Sequence, residues 1–167
     1  MRDGKTVAII PGSFDPITYG HIDIVKRAAE LYDIIYFAVM INSEKQYLFS
    51  IEERERIAKL ALRDIQNVSV ISSTGMLWKL AKELNADAIV KGYRNQTDYE
   101  YEIKMAKFNA EHNPHAKTIL LESKYEFNTL SSTFLRNEIF SDRDISSFLP
   151  QAAAEEIYSI LKKRSSN

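Results

Sequence analysis

The stretch Val7-Ala-Ile-Ile-Pro-Gly-Ser-Phe-Asp-Pro-Ile-Thr-Tyr-Gly-His21 decides the fold of this chain. An apolar strand over Val7–Ile10 gives way to a turn-rich loop, and an amphipathic helix begins at His21. The loop delivers Gly20 and His21 to a helix N-terminus, where unpaired backbone N–H groups and the helix dipole suit a phosphate. Gly20 permits a ligand to approach the backbone closely, and a ring N–H of His21 can donate to a phosphoryl oxygen.

The rest of the chain alternates apolar runs with helical periodicity. Strands are predicted at 7–10, 34–41, 68–71, 88–90 and 118–121, with helices starting near His21, Ser50, Leu77, Asp98, Ser131 or Ser132, and Gln151. Residues 164–167 are expected to form a frayed tail. Strands that alternate with helices predict an α/β fold, with a doubly wound, five-stranded parallel sheet that has helices on both faces. The length of 167 residues predicts a single domain over residues 1–167.

The residues with useful chemistry follow strands. Residues 13–21 follow the first strand, Lys45 the second, Lys91 and Arg94 the fourth, and residues 131–133 the fifth. Ligands of doubly wound folds bind beyond the carboxyl ends of the strands. We therefore expect four separate segments to converge on one edge of the sheet.

Composition narrows the possible functions. The chain has 22 basic and 23 acidic residues, a balance that gives no support to a nucleic-acid-coating protein. The absence of cysteine excludes disulfides, thiolate nucleophiles and cysteine–zinc sites. Its longest strongly apolar run, Ile34–Ile41, is too short to cross a membrane, and no signal peptide is readable. A cytoplasmic location is the simplest prediction.

Familiar catalytic motifs are missing. The chain has no G-x-x-x-x-G-K-[ST], no G-x-G-x-x-G after the first strand, no H-E-x-x-H and no G-x-S-x-G. His112 and His115 flank Asn113-Pro114, where a helix is expected to end, and we interpret them as surface residues. No metal ligands are predicted.

Two more segments are suited to phosphate. Lys91 and Arg94 flank Gly92-Tyr93 and can form a clamp, although a solvated charge cluster is the simpler interpretation of the cations alone. The run 98–102 is expected to place three acids in a first helical turn, where Tyr101 and Glu102 could face a sugar or a base. The hydroxyls of residues 131–133 can cap a helix, bind an anion, or do both.

Together these segments resemble a known enzyme family. Thr18-Tyr-Gly-His21 resembles the T/H-x-G-H signature of the nucleotidyltransferase superfamily, which has a Rossmann-like fold. With residues 11–25, 49–54, 92–94, 98–102, 131–133 and 148–150, the chain resembles bacterial phosphopantetheine adenylyltransferases nearly from end to end. The resemblance implies transfer of the adenylyl group of ATP to 4'-phosphopantetheine in coenzyme A biosynthesis, giving dephospho-coenzyme A and pyrophosphate by direct in-line attack without a covalent enzyme intermediate. It also implies Mg²⁺ carried with ATP, a homohexamer, and feedback inhibition by coenzyme A.

The resemblance also implies roles for individual residues. The catalytic group is His21, Lys45 and Arg94, with His21 as transition-state stabiliser. The ATP-binding group is Ser13, Phe14, Thr18, His21, Gly92, Arg94, Glu102, Ser131, Ser132 and Thr133. The phosphopantetheine-binding group is Ser13, Lys45, Met76, Leu77 and Lys91.

Some positions depart from the family pattern, and some alternatives stay open. Ser13 replaces a common Thr, Lys91 a common Arg, Gln46-Tyr47 a usual Lys-Pro, and Gly75 a frequent acid. The opening motif alone also fits nicotinate-mononucleotide adenylyltransferases and glycerol-phosphate cytidylyltransferases. A non-catalytic nucleotide sensor on the same fold is an alternative from another class.

Overall fold

The fold is built on a central parallel sheet. In the computed structural model, which describes residues 3–167, the strand order is β3-β2-β1-β4-β5 and every neighbouring pair is parallel. The strands are β1 (Val7–Gly12), β2 (Ile34–Met40), β3 (Val68–Ser73), β4 (Ala88–Tyr93) and β5 (Lys117–Glu122). The predicted doubly wound α/β fold is confirmed. Met1 and Arg2, which the predicted single domain includes, lie outside the described residues.

Six α-helices connect and follow these strands in the described part of the chain. They are α1 (Tyr19–Leu31), α2 (Ile51–Leu62), α3 (Leu77–Glu83), α4 (Gln96–His112), α5 (Ser132–Phe140) and α6 (Gln151–Ser165). Local sequence explains where several of them begin. Ser50 accepts a hydrogen bond from the backbone N–H of Glu53, whose carboxylate accepts one from the N–H of Ser50, and Ser131 caps α5.

The central strands are apolar because helices cover both of their faces. Ile10, Phe37 and Val90 belong to a core cluster on one face, whereas their neighbours Ile9 and Ile89 belong to a second cluster on the other, which includes Ala81 of α3. Side chains alternate between the faces of a strand, so a strand buried on both sides must be apolar throughout. Within residues 3–167, no helix combines the length and apolarity that a membrane span requires.

The strand order changes direction between β1 and β4. The chain moves outward through β2 and β3 on one side, and through β4 and β5 on the other. A crevice opens at such a switch point, beyond the carboxyl ends of the two strands. The loop that follows β1 and the residues that follow β4 therefore border the same crevice.

Three of the predicted boundaries that the structure moves are the end of β4, the start of α4 and the end of α6. β4 continues to Tyr93 because it pairs with β5, so Lys91 and Gly92 lie within the strand and not after it. Helix α4 begins at Gln96, so only Asp98 of the three acids lies in its first turn. Helix α6 continues through Arg164, which donates a hydrogen bond of 2.7 Å to Glu53 instead of fraying.

Candidate active site

A cavity of about 730 Å³ lies at the switch point. Its walls include residues from all four of the segments that were expected to converge, and His21 and Arg94 both line it. The predicted convergence is thus confirmed. The predicted site residues that line the cavity are Ser13, Phe14, Gly20, His21, Lys45, Lys91, Gly92, Arg94, Glu102, Ser131, Ser132 and Thr133.

Three predicted binding residues do not line this cavity. Thr18, the N-cap of α1, is fully buried, which agrees with its expected support of the loop, whereas its assignment to ATP binding stays a prediction. Met76 and Leu77 lie at the start of α3, and Met76 is 52% exposed. Leu77 instead lines an adjoining pocket of about 70 Å³, which shares Lys91 and Glu102 with the main cavity.

His21 is held as a neutral hydrogen-bond donor. Its Nδ1 accepts a hydrogen bond of 3.0 Å from the backbone N–H of Thr18, so the ring proton lies on Nε2. Burial lowers the pKa of His21 to about 4, and the positive charges of Arg94 and Lys91 add to this effect. At neutral pH the imidazole can therefore donate from Nε2 without carrying a charge of its own.

An aromatic residue supports the His21 ring from the loop after β1. The edge-to-face contact between Phe14 and His21 has a centroid distance of 5.0 Å, and Phe14 is stacked on Phe37 at 4.0 Å. Phe14 has a φ of 49°, in the left-handed region that favours glycine. A Cβ atom on Gly12 would lie 2.7 Å from the Phe14 ring, so Gly12 makes room for this arrangement.

The two cations of β4 and its following loop are paired with acids of α4. Lys91 Nζ lies 3.4 Å from the Glu102 carboxylate, and Arg94 Nε lies 3.3 Å from that of Asp98. All four residues line the cavity. The α4 acids thus hold both cations at the cavity wall, where an anion can contact them.

The N-terminus of α5 forms another wall. Ser131 Oγ accepts from the N–H of Phe134, and Ser132 Oγ donates to the carbonyl of Pro16 at 2.8 Å. Thr133 Oγ1 accepts a hydrogen bond of 3.1 Å from Arg136. Only the Ser132 hydroxyl thus uses its proton within the protein, so the hydroxyls of Ser131 and Thr133 and the first-turn N–H groups can donate to an anion.

Sequence reasoning missed a buried arginine beneath the cavity. Arg54 is 1% exposed and donates hydrogen bonds to the carbonyls of Ser13 (2.7 Å), Met40 (3.0 Å) and Phe49 (3.2 Å). Its guanidinium also lies 3.9 Å from the centre of the Tyr47 ring. Arg54 thereby ties the loop after β1 to the loop after β2. The Glu-Arg pair at positions 53 and 54 was the available signal, but its role depends on loops that are distant in sequence.

A second missed pair joins the same loops to α5. The buried Asp15 carboxylate accepts hydrogen bonds from the backbone N–H groups of Leu48 (2.9 Å) and Phe49 (3.0 Å). Arg136 donates to the carbonyl of Asp15 at 2.9 Å and lines the cavity. Arg136 thus brings a further cation to the site, and nothing in its local sequence distinguishes it from a surface arginine.

Comparison with known proteins identifies the family. Residues 9–138 match the family described as Cytidylyltransferase-like. The phosphopantetheine adenylyltransferase of Caldanaerobacter subterraneus subsp. tengcongensis is 45% identical over 157 residues, which cover 94% of this chain and 98% of that protein. The chain belongs to the phosphopantetheine adenylyltransferase family. The predicted family and the predicted enzyme class are therefore confirmed.

A second relative agrees with this assignment, and a solved structure agrees with the fold. The phosphopantetheine adenylyltransferase of Lactobacillus helveticus is 43% identical over 91% of this chain and 93% of that protein. A solved structure from Vibrio parahaemolyticus, described as a nicotinate-nucleotide adenylyltransferase, superposes with a TM-score of 0.70 and covers 93% of each chain. Its sequence identity is 18%, so it supports the fold alone.

The acids of the cavity are already engaged by other groups of the protein, which affects how a divalent cation can bind there. Among residues 3–167, no three His, Cys, Asp or Glu side chains are grouped to hold a metal ion. Asp98 and Glu102 are engaged with cations, and Asp15 with backbone N–H groups. This donor set fits Mg²⁺ that is carried by phosphate oxygens and water, which is the usual way a triphosphate brings it.

The two histidines outside the site lie on the surface, as predicted. His112 is exposed and its ring is stacked on Trp78 at 5.1 Å. His115 is also exposed, and its Nε2 lies 3.3 Å from the Asp87 carboxylate.

Proposed function

We propose that this chain transfers the adenylyl group of ATP to 4'-phosphopantetheine, giving dephospho-coenzyme A and pyrophosphate. The observation that carries the proposal is the single cavity that collects a neutral imidazole, His21, and four cations, Lys45, Lys91, Arg94 and Arg136. Such a cavity can hold two phosphorylated substrates against each other. The names and identities of the relatives support these two substrates.

In the proposed reaction an oxygen of the acceptor phosphate attacks the α-phosphorus of ATP. The new P–O bond forms as the bond to pyrophosphate breaks in line, so no enzyme nucleophile is needed. Catalysis then consists of positioning and charge stabilisation. His21 Nε2 donates to an oxygen that gains negative charge, and Arg94 offers a planar fork to the triphosphate. Lys45 and Lys91 hold the acceptor phosphate as point charges.

Mg²⁺ is proposed to arrive with ATP. Bound there, it would neutralise charge on the triphosphate and on departing pyrophosphate. The protein's own part is to hold the phosphates with His21, Arg94 and the N-terminus of α5.

We further propose a cytoplasmic homohexamer that is inhibited by coenzyme A. The hexamer rests on the family resemblance. The cytoplasmic location rests on the need for ATP and on a chain without cysteine. Inhibition by coenzyme A is reasonable because that molecule contains the whole of the proposed product and can occupy the same cavity.

Pyrophosphate release tests the reaction. Purified protein is incubated with ATP and 4'-phosphopantetheine, with ATP and nicotinate mononucleotide, and with CTP and glycerol 3-phosphate. Release is expected only with the first pair. Preference for another pair would assign the chain the corresponding nicotinate-mononucleotide or glycerol-phosphate activity. ATP binding without pyrophosphate release from any pair would identify a nucleotide sensor.

His21→Ala tests the assigned chemistry. Loss of one preorganised donor to a developing charge is expected to lower kcat by on the order of 10²-fold, with a smaller change in ATP affinity. Near-normal turnover with ATP and 4'-phosphopantetheine would refute the role of His21 while leaving the overall reaction in place.

A further inference from the structure

Tyr47 connects two loops that border the cavity. Its hydroxyl oxygen accepts a hydrogen bond of 2.7 Å from the backbone N–H of Asn42 and lies 3.1 Å from Ser13 Oγ. The guanidinium of the buried Arg54 lies 3.9 Å from the centre of the Tyr47 ring. Both Tyr47 and Ser13 line the cavity.

The hydrogen bonds around Tyr47 limit the partners to which its hydroxyl group can donate. The N–H of Asn42 can only donate, so the phenol oxygen is an acceptor there and keeps its single proton for another partner. Ser13 Oγ at 3.1 Å is a closer acceptor than the carbonyl of Asn42 at 3.4 Å, which is at the limit of a hydrogen bond. The shorter distance favours Ser13 Oγ over the Asn42 carbonyl as the acceptor of the Tyr47 proton.

With Tyr47 as the donor, the Ser13 hydroxyl keeps its own proton for a partner within the cavity. The carbonyl of Ser13 is held by Arg54 at 2.7 Å, which fixes the backbone of the same residue. Lys45, two residues before Tyr47, lines the cavity beside them. Ser13 and Lys45 therefore border the same cavity, from the loops after β1 and β2.

We propose that Tyr47 donates its hydroxyl proton to Ser13 Oγ and, as a positioning residue, directs the Ser13 proton to an oxygen of the acceptor phosphate. The inference rests on the proposed function, because it concerns the binding of 4'-phosphopantetheine. Tyr47 acts through Ser13 and needs no contact of its own with the reacting atoms.

Tyr47→Phe is the direct test, because it keeps the ring over Arg54 and removes only the hydroxyl. The KM for 4'-phosphopantetheine is expected to rise about 3- to 10-fold, as for loss of one hydrogen bond between uncharged groups, with kcat and the KM for ATP within about twofold of wild type. Tyr158→Phe is the matched control. Its hydroxyl accepts from the N–H of Ile145 and donates to Asp144, both at 3.0 Å, and it does not line the cavity. Loss of this hydroxyl is expected to change thermal stability without changing KM.

A double-mutant cycle tests whether Tyr47 affects the KM for 4'-phosphopantetheine through Ser13 or independently of it. Ser13→Ala alone is expected to raise the same KM, and adding Tyr47→Phe to it should change KM by less than about twofold, because the two hydroxyls act in series. Ser13→Thr keeps a hydroxyl and should remain sensitive to Tyr47→Phe. An unchanged KM in Tyr47→Phe, or full additivity with Ser13→Ala, would overturn the inference.

Calorimetric binding of 4'-phosphopantetheine to wild type and Tyr47→Phe accompanies the kinetics. Wild-type protein that binds this ligand but releases no pyrophosphate would refute the proposed function, and the weaker binding expected of Tyr47→Phe would still support the inference. Equal binding by both proteins would refute the inference.

Discussion

Acid is expected to destabilise this protein in part through His21. The pKa of this imidazole is lowered from 6.5 to about 4 on folding, so the folded state binds fewer protons than the unfolded state between these values. The contribution of neutral His21 to stability is therefore intact above pH 6.5 and is lost as the pH falls towards 4. At about 1.4 kcal/mol per pKa unit, the complete loss is about 3 kcal/mol.

The assay is urea unfolding at neutral pH and at about pH 4.5, for wild type and for His21→Asn. Asparagine does not titrate, and its amide oxygen offers an acceptor to the N–H of Thr18 in place of Nδ1. Carboxylates titrate in both proteins and cancel in the comparison. Between the two pH values wild type should lose about 2 kcal/mol more than the variant. Equal losses would refute the neutral state assigned to His21.

Three other substitutions test separate parts of the site. Lys45→Ala should mainly raise the KM for 4'-phosphopantetheine, and an unchanged KM in steady-state kinetics would reject its assignment. Gly12→Ala places a methyl group 2.7 Å from the Phe14 ring, so it should lower the free energy of unfolding in urea by about 1–3 kcal/mol and also lower kcat. Wild-type values of both quantities would show that the ring does not support the site. Arg54→Met leaves three carbonyls without their donor and should lower the free energy of unfolding by about 3–5 kcal/mol. The control Arg56→Met, on the exposed face of α2, should lower it by less than about 1 kcal/mol. Similar losses in the two variants would contradict the role of Arg54 in joining the loops.

The features that could be predicted from sequence were local. The run Ile34–Ile41 is apolar because its strand is buried on both faces, and the Ser50–Glu53 capping box is formed by residues three positions apart. The convergence of the site could also be predicted, because a parallel sheet brings its carboxyl ends to one edge. That rule assigned His21 and Arg94 to the same cavity without knowledge of the strand order.

The features that could not be predicted depend on contacts between distant residues. Arg54 bonds to carbonyls of three segments, and its sequence neighbours do not reveal how those loops curve around it. Lys91 and Glu102 were assigned to different substrates, but the pairing of β4 with α4 brings them within 3.4 Å. Thr18 was assigned to ATP because it is part of the motif, and only the start of α1 shows that it is turned inward.

The paired charges Lys91–Glu102 and Arg94–Asp98 mean that the resting cavity already contains its own counter-ions. A small monovalent anion such as chloride has to compete with two carboxylates that are tethered within 3.5 Å of the cations, and it is at a disadvantage there. A polyphosphate presents several negative oxygens at once and can draw both cations away from their partners together. We therefore expect the two acids to favour highly charged ligands over the anions of common salts at this wall.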